Sequence, residues 1–360
     1  TYSDALLSDA DRRLLLGAAL ALDDRLDALE EFANRPLSTR SLGVLAGHLL
    51  CETGTFRFAE QRARLWVVRT SEASEIAAAH ERWSDLSLAR GEAERAQWHR
   101  ARSSSSRRPD VVPALVATAR SLTESGHPER AVPIALEAAA HGLDGSRDEA
   151  LVQAGSAAVA AGFMSDASDI LRGVDPSATV FSRTHAVAGL VIADTHVNGT
   201  VPSPDPGRQR PRDGSRAEWR AWARAAGIAA ALAAERAARA DMRAWLDACR
   251  EADALAGAEG TIHGAAAAFC NLFFPEGGPD APRSTGALSG RMVDALRLAV
   301  AGDIDQGLRV LALDDAWAAG EGDPLAAGFE RSPLALAYRA VTEVLLLFWR
   351  GDIGRARDRL

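Results

Sequence analysis

Apolar residues recur at helical spacing along most of the chain, and polar segments separate these runs. Ser8, with Asp11 three residues later, has the pattern of a capped helix start ahead of a leucine-rich run. The spacing of apolar residues predicts a second helix over residues 24–32 and a third over residues 38–49. The N-terminal segment is therefore predicted to begin with three short helices.

A β-hairpin is predicted after these helices. Residues 51–58 contain a Thr-Gly pair flanked by β-branched and aromatic residues, which is typical of two strands joined by a tight turn. Two more helices are predicted at residues 60–68 and 72–86. Three helices followed by a small hairpin form the outline of a winged-helix module, and we assign residues 1–90 to such a module.

A repeated glycine pattern dominates the rest of the chain. Four glycines are each followed by a small residue five positions later and by alanine or leucine nine positions later: Gly126, Gly162, Gly302 and Gly351. Such a glycine can take the left-handed conformation that ends one helix, and the two later positions then face the partner helix of a hairpin. The first two are 36 residues apart, close to the tetratricopeptide period of about 34 residues, and the last two are 49 apart.

The pattern predicts an all-α fold. We expect an irregular tetratricopeptide-like array of helical hairpins (an α-solenoid) over residues 91–360, preceded by the winged-helix module. Polar or Gly/Pro-rich stretches interrupt this array at residues 102–109, 199–215, 275–290 and 320–333. The stretch at 199–215 has four prolines and no apolar periodicity, which predicts a flexible loop. These loops are interpreted either as connections between hairpins or as a lid over a ligand site.

Composition narrows the functions that such an array can have. All 41 basic residues are arginine, so the chain cannot carry the lysine of a nucleotide-binding phosphate loop or a Schiff-base lysine. The net charge of −8 argues against the chain as a whole being an electrostatic partner for nucleic acid. The three cysteines form no Cys-x-x-Cys pair, which predicts reduced thiols rather than a zinc site. With neither a signal-peptide-like core nor a long apolar run, we expect a soluble cytoplasmic protein without a membrane partner.

One string resembles a metal-binding motif. Asp23, Asp24 and Asp27 match the D-D-x-x-D pattern of all-α prenyl-diphosphate enzymes, in which aspartates one turn apart hold magnesium ions. The string lies close to the start of the chain, and no second acidic motif faces it. The alternative interpretation is a solvated helix start, where the positive end of the helix dipole stabilises aspartates. We favour that interpretation and expect no catalytic residues, no metal and no cofactor.

The tryptophans are the other candidates for a site, because the chain uses few aromatic residues. Trp219 and Trp222 lie three positions apart on one face of a predicted helix, and Trp245 falls on a probable partner helix. Indoles on facing helices can line a pocket for a small molecule or a groove for a peptide helix. They can equally fill the gaps that alanine-rich helices leave in a core, which is the interpretation that we favour.

Three strings in the first third of the chain resemble a known family. They are LSDADRRLLLGAAL at residues 7–20, AAHERW at residues 78–83 and RAQWHRA at residues 95–101. In this order, with FRFAE at residues 56–60 between the first two, they resemble part of the large ATP-binding LuxR-family transcriptional regulators, the class typified by the maltose regulator. The chain departs from the family pattern after the hairpin, where Phe-Ala replaces His-Pro.

The resemblance implies an ATPase domain, a winged helix, a tetratricopeptide-like array and a helix-turn-helix, of which these 360 residues hold only the middle parts. It implies the central regulatory or sensor segment of a longer protein. Such a segment would bind a small-molecule effector or a protein partner, and would reach DNA only through a helix-turn-helix outside this chain. The alternatives are a free-standing helical-repeat adaptor for protein interactions and, remotely, a magnesium-dependent all-α enzyme that uses the three aspartates. We expect the chain not to be an enzyme.

Overall fold

The chain folds into two compact units, residues 1–115 and 116–360. The structure, a computed structural model, describes residues 7–38, 42–104, 106–175, 178–201, 210–211, 214–274, 289–312, 323–325 and 332–360. Within those residues it contains 17 helices and one two-stranded antiparallel sheet. The all-α prediction is confirmed at this level.

The first unit contains five α-helices and the sheet. Their bounds are α1 (Asp9–Leu20), α2 (Leu26–Ala33), β1 (Leu49–Glu52), β2 (Thr55–Phe58), α3 (Gln61–Thr70), α4 (Ala73–Ala89) and α5 (Ala93–Arg102), with short 3-10 helices at Gly43–Gly47 and Pro109–Val111. The predicted start of α1 is confirmed, since the Ser8 hydroxyl accepts the backbone N–H of Asp11 at 3.2 Å.

The core of this unit depends on one close approach between helices. Trp83 of α4 donates its indole N–H to the carbonyl of Gly17 at 3.0 Å and stacks on Phe32 with ring centroids 4.7 Å apart. A Cβ atom at Gly17 would lie only 2.1 Å from the Phe32 ring. Glycine is therefore required at this position, because any side chain would separate α1 from α2.

The predicted hairpin is present, but the predicted third helix is not. Residues 43–47 form a 3-10 helix, and Leu49 pairs with Phe58 in the sheet instead of extending a helix. Gly43 takes a left-handed conformation (φ +51°), which interrupts an α-helix at this point. Residues 39–41 lie outside the described residues. The segment before α2 also pairs with the hairpin, since the Phe56 N–H donates to the Asp24 carbonyl at 2.8 Å. The identification of this arrangement as a winged helix stays a prediction.

The second unit is entirely helical within its described residues. Its helices are α6 (Val112–Glu124), in which the boundary between units falls, α7 (Pro128–His141), α8 (Asp144–Ala161), α9 (Met164–Arg172), α10 (Val180–Asn198), α11 (Arg216–Glu235), α12 (Arg239–Ala256), α13 (Thr261–Phe273), α14 (Ser289–Val300), α15 (Ile304–Ala312), α16 (Pro333–Arg350) and α17 (Ile353–Arg359). The alanine-rich α11 is central, and it packs against α10, α12 and α13.

The repeated glycines end helices in the way that the sequence predicts. All four have left-handed backbones, with φ between +84° and +95°, and each lies between the helices of a hairpin. The residues five positions later are buried in the hairpin contacts: Ala131, Ala167, Gly307 and Ala356. Leu171, nine positions after Gly162, packs into space left by Gly155 and Gly189, where a Cβ would lie within 2.6 Å of it. The hairpin pattern is therefore confirmed, and its tetratricopeptide-like identity stays a prediction.

Two predicted features differ from the structure. Leu360, the ninth position after Gly351, is 90% exposed instead of buried, because α17 ends at Arg359. Helix α5, which we assigned to the array, belongs to the first unit and packs against α4. Of the predicted flexible loop at 199–215, residues 202–209 and 212–213 lie outside the described residues, as do 275–288 of the loop predicted at 275–290.

Candidate functional site

Three adjoining cavities form one groove in the second unit. The outer cavity, of about 580 Å³, lies between α10, α11 and the start of α13; the middle cavity, of about 410 Å³, lies between α6, α8, α10 and α11. The third cavity, of about 170 Å³ and called the inner one below, is bordered by α13, α14 and α16. Arg224 of α11 lines all three cavities, and Ile192 and Ile228 line both the middle and the inner one.

The groove changes character along its length. The outer and middle cavities carry charged and polar side chains, including Arg220, Arg120 and His185. Arg120 lies 3.7 Å from the Glu149 carboxylate, and Glu124 and Asp323 also line these cavities, so most of the positive charge is balanced within the wall. The inner cavity is lined mainly by aliphatic and aromatic side chains, among them Ile228, Phe269, Met292 and Leu334. A groove with polar groups at one end and an apolar lining at the other is typical of sites for small organic molecules.

One face of helix α11 lines the groove along its length. Arg220, Arg224, Ile228, Ala231 and Glu235 follow one another at spacings of three or four residues, so they share one face of the helix. The first reaches the outer cavity, and the last three reach the inner one. The sequence therefore contained a signal for this site, a second stripe on the helix that also carries Trp219 and Trp222. The sequence analysis did not predict this stripe, because its residue types are common in the chain, whereas the tryptophans on the same helix are rare.

Arg224 is held at the junction of the cavities. Its Nε donates to the carbonyl of Leu325 at 2.8 Å, which fixes the direction of the side chain. Gly227, one turn from Arg224, lies close to the same leucine, since a Cβ there would approach Leu325 Cδ2 to 3.0 Å. A guanidinium ordered in advance loses less side-chain entropy when it binds an anion.

The apolar end of the groove has two acidic groups close to it. Tyr338 of α16 and Glu235 of α11 both line the inner cavity. Burial raises the pKa of Tyr338 to about 12, and burial also raises the pKa of Glu235 against the opposing charges of Arg236 and His196. The His196 Nδ1 donates to the Ile192 carbonyl at 2.8 Å, and its Nε2 lies 3.3 Å from the Tyr338 hydroxyl oxygen.

The three predicted tryptophans lie in the core. Trp219, Trp222 and Trp245 are 7%, 1% and 3% exposed, and the last two have ring centroids 6.0 Å apart. Arg210 lies over the Trp219 ring at 5.5 Å from its centroid. None of the three lines the groove. Contact between these indoles and a ligand stays a prediction, and their observed role is to fill space between alanine-rich helices.

Two of the three predicted metal-binding aspartates form ion pairs within the protein. Asp23 forms ion pairs with Arg25, at 2.9 Å, and with Arg95, and Asp27 pairs with Arg90. Burial alone would raise the pKa of Asp23, but the hydrogen bond and charge of Arg95 hold it below its usual value. Asp24 contributes its backbone carbonyl to the hairpin contact. Across the described residues no group of three or more His, Cys, Asp or Glu side chains is arranged to hold a metal ion. The arginine contacts thus engage two of the three carboxylates that the magnesium hypothesis requires.

A buried histidine pair is the feature of the first unit that sequence reasoning missed. His80 of α4 and His99 of α5 are 0% and 2% exposed, and their Nδ1 atoms lie 2.9 Å apart. Burial lowers the pKa of His80 to about 4 and that of His99 to about 3, and neighbouring positive charge adds to both shifts. Trp83 stacks on His99, with ring centroids 5.9 Å apart, and Trp98 contacts both imidazoles edge-on. Two of the strings that carry the family resemblance therefore meet in one core contact.

In comparisons with known proteins, no family model, curated protein or solved structure matches the chain. Among the described helices, none combines the length and apolarity that crossing a membrane requires.

Proposed function

We propose that the groove of residues 116–360 binds a small organic effector with an acidic group and an apolar end, and that the chain is the sensor segment of a transcriptional regulator of the LuxR type. The observation that carries the binding proposal is the position of Arg224, between charged cavities on one side and an apolar cavity on the other. The regulatory part rests on the resemblance of residues 7–101.

The chemistry of the effector follows from the two ends of the groove. A carboxylate, sulfonate or phosphate would accept hydrogen bonds from Arg224, since a guanidinium recognises planar or tetrahedral oxyanions with paired N–H groups. An aliphatic or aromatic end would enter the inner cavity beside Ile228 and Phe269 and leave water. The middle cavity, at about 410 Å³, has the volume of a small-molecule site, and the inner cavity, at about 170 Å³, takes only the apolar end.

The binding proposal is tested with a probe of matching chemistry. 8-Anilinonaphthalene-1-sulfonate joins a sulfonate to aromatic rings and fluoresces more strongly in apolar surroundings, so it can be titrated into the native chain. We expect saturable binding that decanoate, a carboxylate with an alkyl tail, displaces. Ile228→Gln should weaken binding about fivefold or more by placing an amide in the apolar end, and Arg224→Gln should weaken it through the acidic group.

The matched control is Leu255→Gln. Leu255 is a partly exposed residue of α12 that lines none of the three cavities. Its variant should bind the probe as the unchanged chain does. Equal losses in Leu255→Gln and Ile228→Gln would show that the probe adheres to general apolar surface, and the groove proposal would then fail. The regulatory role has its own test, which is whether the same reading frame encodes a phosphate loop before this segment and a helix-turn-helix after it.

A further inference from the structure

A second cavity, in the first unit, is lined by four arginines. It has a volume of about 750 Å³ and lies between α1, the end of α2 and the first half of α4. We call it the arginine cleft; its arginines are Arg12, Arg13, Arg35 and Arg82. The rest of the wall is mixed, with apolar side chains such as Leu14 and Leu16 of α1 beside polar and acidic ones. None of these residues belongs to the groove of the second unit.

Protein contacts hold three of the arginines in place. Arg12 donates from Nη2 to the Thr70 carbonyl at 2.5 Å, and Arg35 donates from Nη2 to an Asp11 carboxylate oxygen at 3.2 Å. The Arg82 guanidinium lies over the Phe32 ring, 5.2 Å from its centroid. Such contacts order the side chains before any ligand arrives, which reduces the entropy lost on binding.

Two acids line the same cleft, and both lie at a helix start, where the helix dipole offsets part of their charge. Asp9 is in the first turn of α1 and Glu75 in the first turn of α4, at the positive ends of the two helix dipoles. A carboxylate oxygen of Glu75 also accepts the backbone N–H of Glu72 at 2.9 Å. With Asp11, which pairs with Arg35, three acids face the four arginines, so the cleft keeps a small excess of positive charge in a chain whose net charge is −8.

We propose that the arginine cleft binds a small organic anion that carries at least two acidic groups, either phosphates or carboxylates. Arginines on three different segments surround the cavity, so one compact anion can contact several of them at once. Each guanidinium can donate two parallel hydrogen bonds to a phosphate or a carboxylate. The cavity volume of about 750 Å³ lies within the range of small-molecule sites and well above that of a single inorganic ion. This inference is independent of the function proposed for the groove.

The test is calorimetric titration of the full chain with two probes at constant ionic strength. Pyrophosphate represents the phosphate class and citrate the carboxylate class. We expect saturable binding of at least one probe, and the tighter probe identifies the class of acidic group. The variant Arg13→Gln/Arg82→Gln should bind that probe roughly tenfold more weakly, and Arg13→Lys/Arg82→Lys should recover part of the loss, since lysine keeps the charge but not the paired donors.

The control removes the same charge elsewhere in the first unit. Arg62 and Arg69 are exposed residues of α3 that do not line the cleft, so Arg62→Gln/Arg69→Gln should bind as the unchanged chain does. Equal weakening in the two double variants would show a general effect of net charge and overturn the proposal, and so would failure of the unchanged chain to bind either probe. If loss of the Phe32 contact destabilises the Arg82 variants, Arg13→Gln alone, at an exposed position, should still weaken binding about threefold.

Discussion

Left-handed residues mark the hairpin turns of this chain, and most of them are glycines. A residue with a Cβ pays about 1–2 kcal/mol to adopt this conformation. Ala237, between α11 and α12, nevertheless has φ +57° and stands where other hairpins have glycine. The glycine pattern therefore identified four turns correctly from the sequence but not this one. Here the backbone tolerates the strain because the closely packed α11 and α12 hold the turn between them.

The cost of a side chain at such a turn is open to direct measurement. Gly162 has φ +84° and open space where a Cβ would lie, so Gly162→Ala should destabilise the second unit by about 1–2 kcal/mol through backbone strain alone. Gly264 also has open space but lies within α13 with an ordinary backbone. Gly264→Ala should therefore stabilise the unit by roughly 0.5–1 kcal/mol. Urea unfolding of both variants measures the two effects, and a shared sign would contradict this account.

At the scale of elements, a row of aromatic contacts joins α2, α4 and α5. Phe32 stacks on Trp83, Trp83 stacks on His99, and His99 faces His80. Arg95, Arg102 and Asp23 are the charged groups that act on this row. Because both imidazoles are buried and neutral, the packing of α4 against α5 depends on their remaining unprotonated.

Acid should destabilise the first unit through this pair. An unfolded histidine binds a proton below its usual pKa of 6.5, whereas folded His80 and His99 resist protonation until about pH 4 and about pH 3. The unfolded state therefore binds more protons across this window, and stability falls as pH decreases from 6.5. The expected slope is about 1.4 kcal/mol per pH unit for each histidine.

Denaturant unfolding of the first unit between pH 7 and pH 5, above the range where most carboxylates titrate, measures this slope. The variant His80→Leu/His99→Leu removes both titrating groups and should flatten the dependence on pH, whatever its effect on absolute stability. A slope that persists in the double variant would assign the acid sensitivity to other groups.

The aspartates at the start of α2 lead to a second prediction at this scale. Asp23→Asn should destabilise the first unit by about 1–3 kcal/mol, because it leaves the partly buried Arg95 with only its longer contact to Glu92, at 3.5 Å. Millimolar Mg²⁺ should not change the melting temperature of the unchanged chain or of the Asp23→Asn/Asp27→Asn variant. A magnesium-dependent rise that the double variant loses would instead revive the metal-site hypothesis.

At the scale of the whole molecule, the sequence predicted helices and turns better than it predicted the site. Periodicity and glycines located α1, the hairpin at β1 and β2, and the turns at Gly126 and Gly162, since these depend on residues close together in the chain. The groove draws on residues from α6 to α16, and no local pattern brings them together. Trp219 and Trp222 were considered for the site because they are rare, yet their size suits them to a core built from alanine.

The position of Arg224 has a consequence for how the groove would respond to two ligands. A molecule in the outer cavity and one in the inner cavity would both draw on the same guanidinium, which Leu325 already holds in one direction. Occupancy at one end would then change affinity at the other, and thermodynamic linkage requires the effect to be equal in both directions. A single side chain would thus couple ligand binding in two neighbouring cavities.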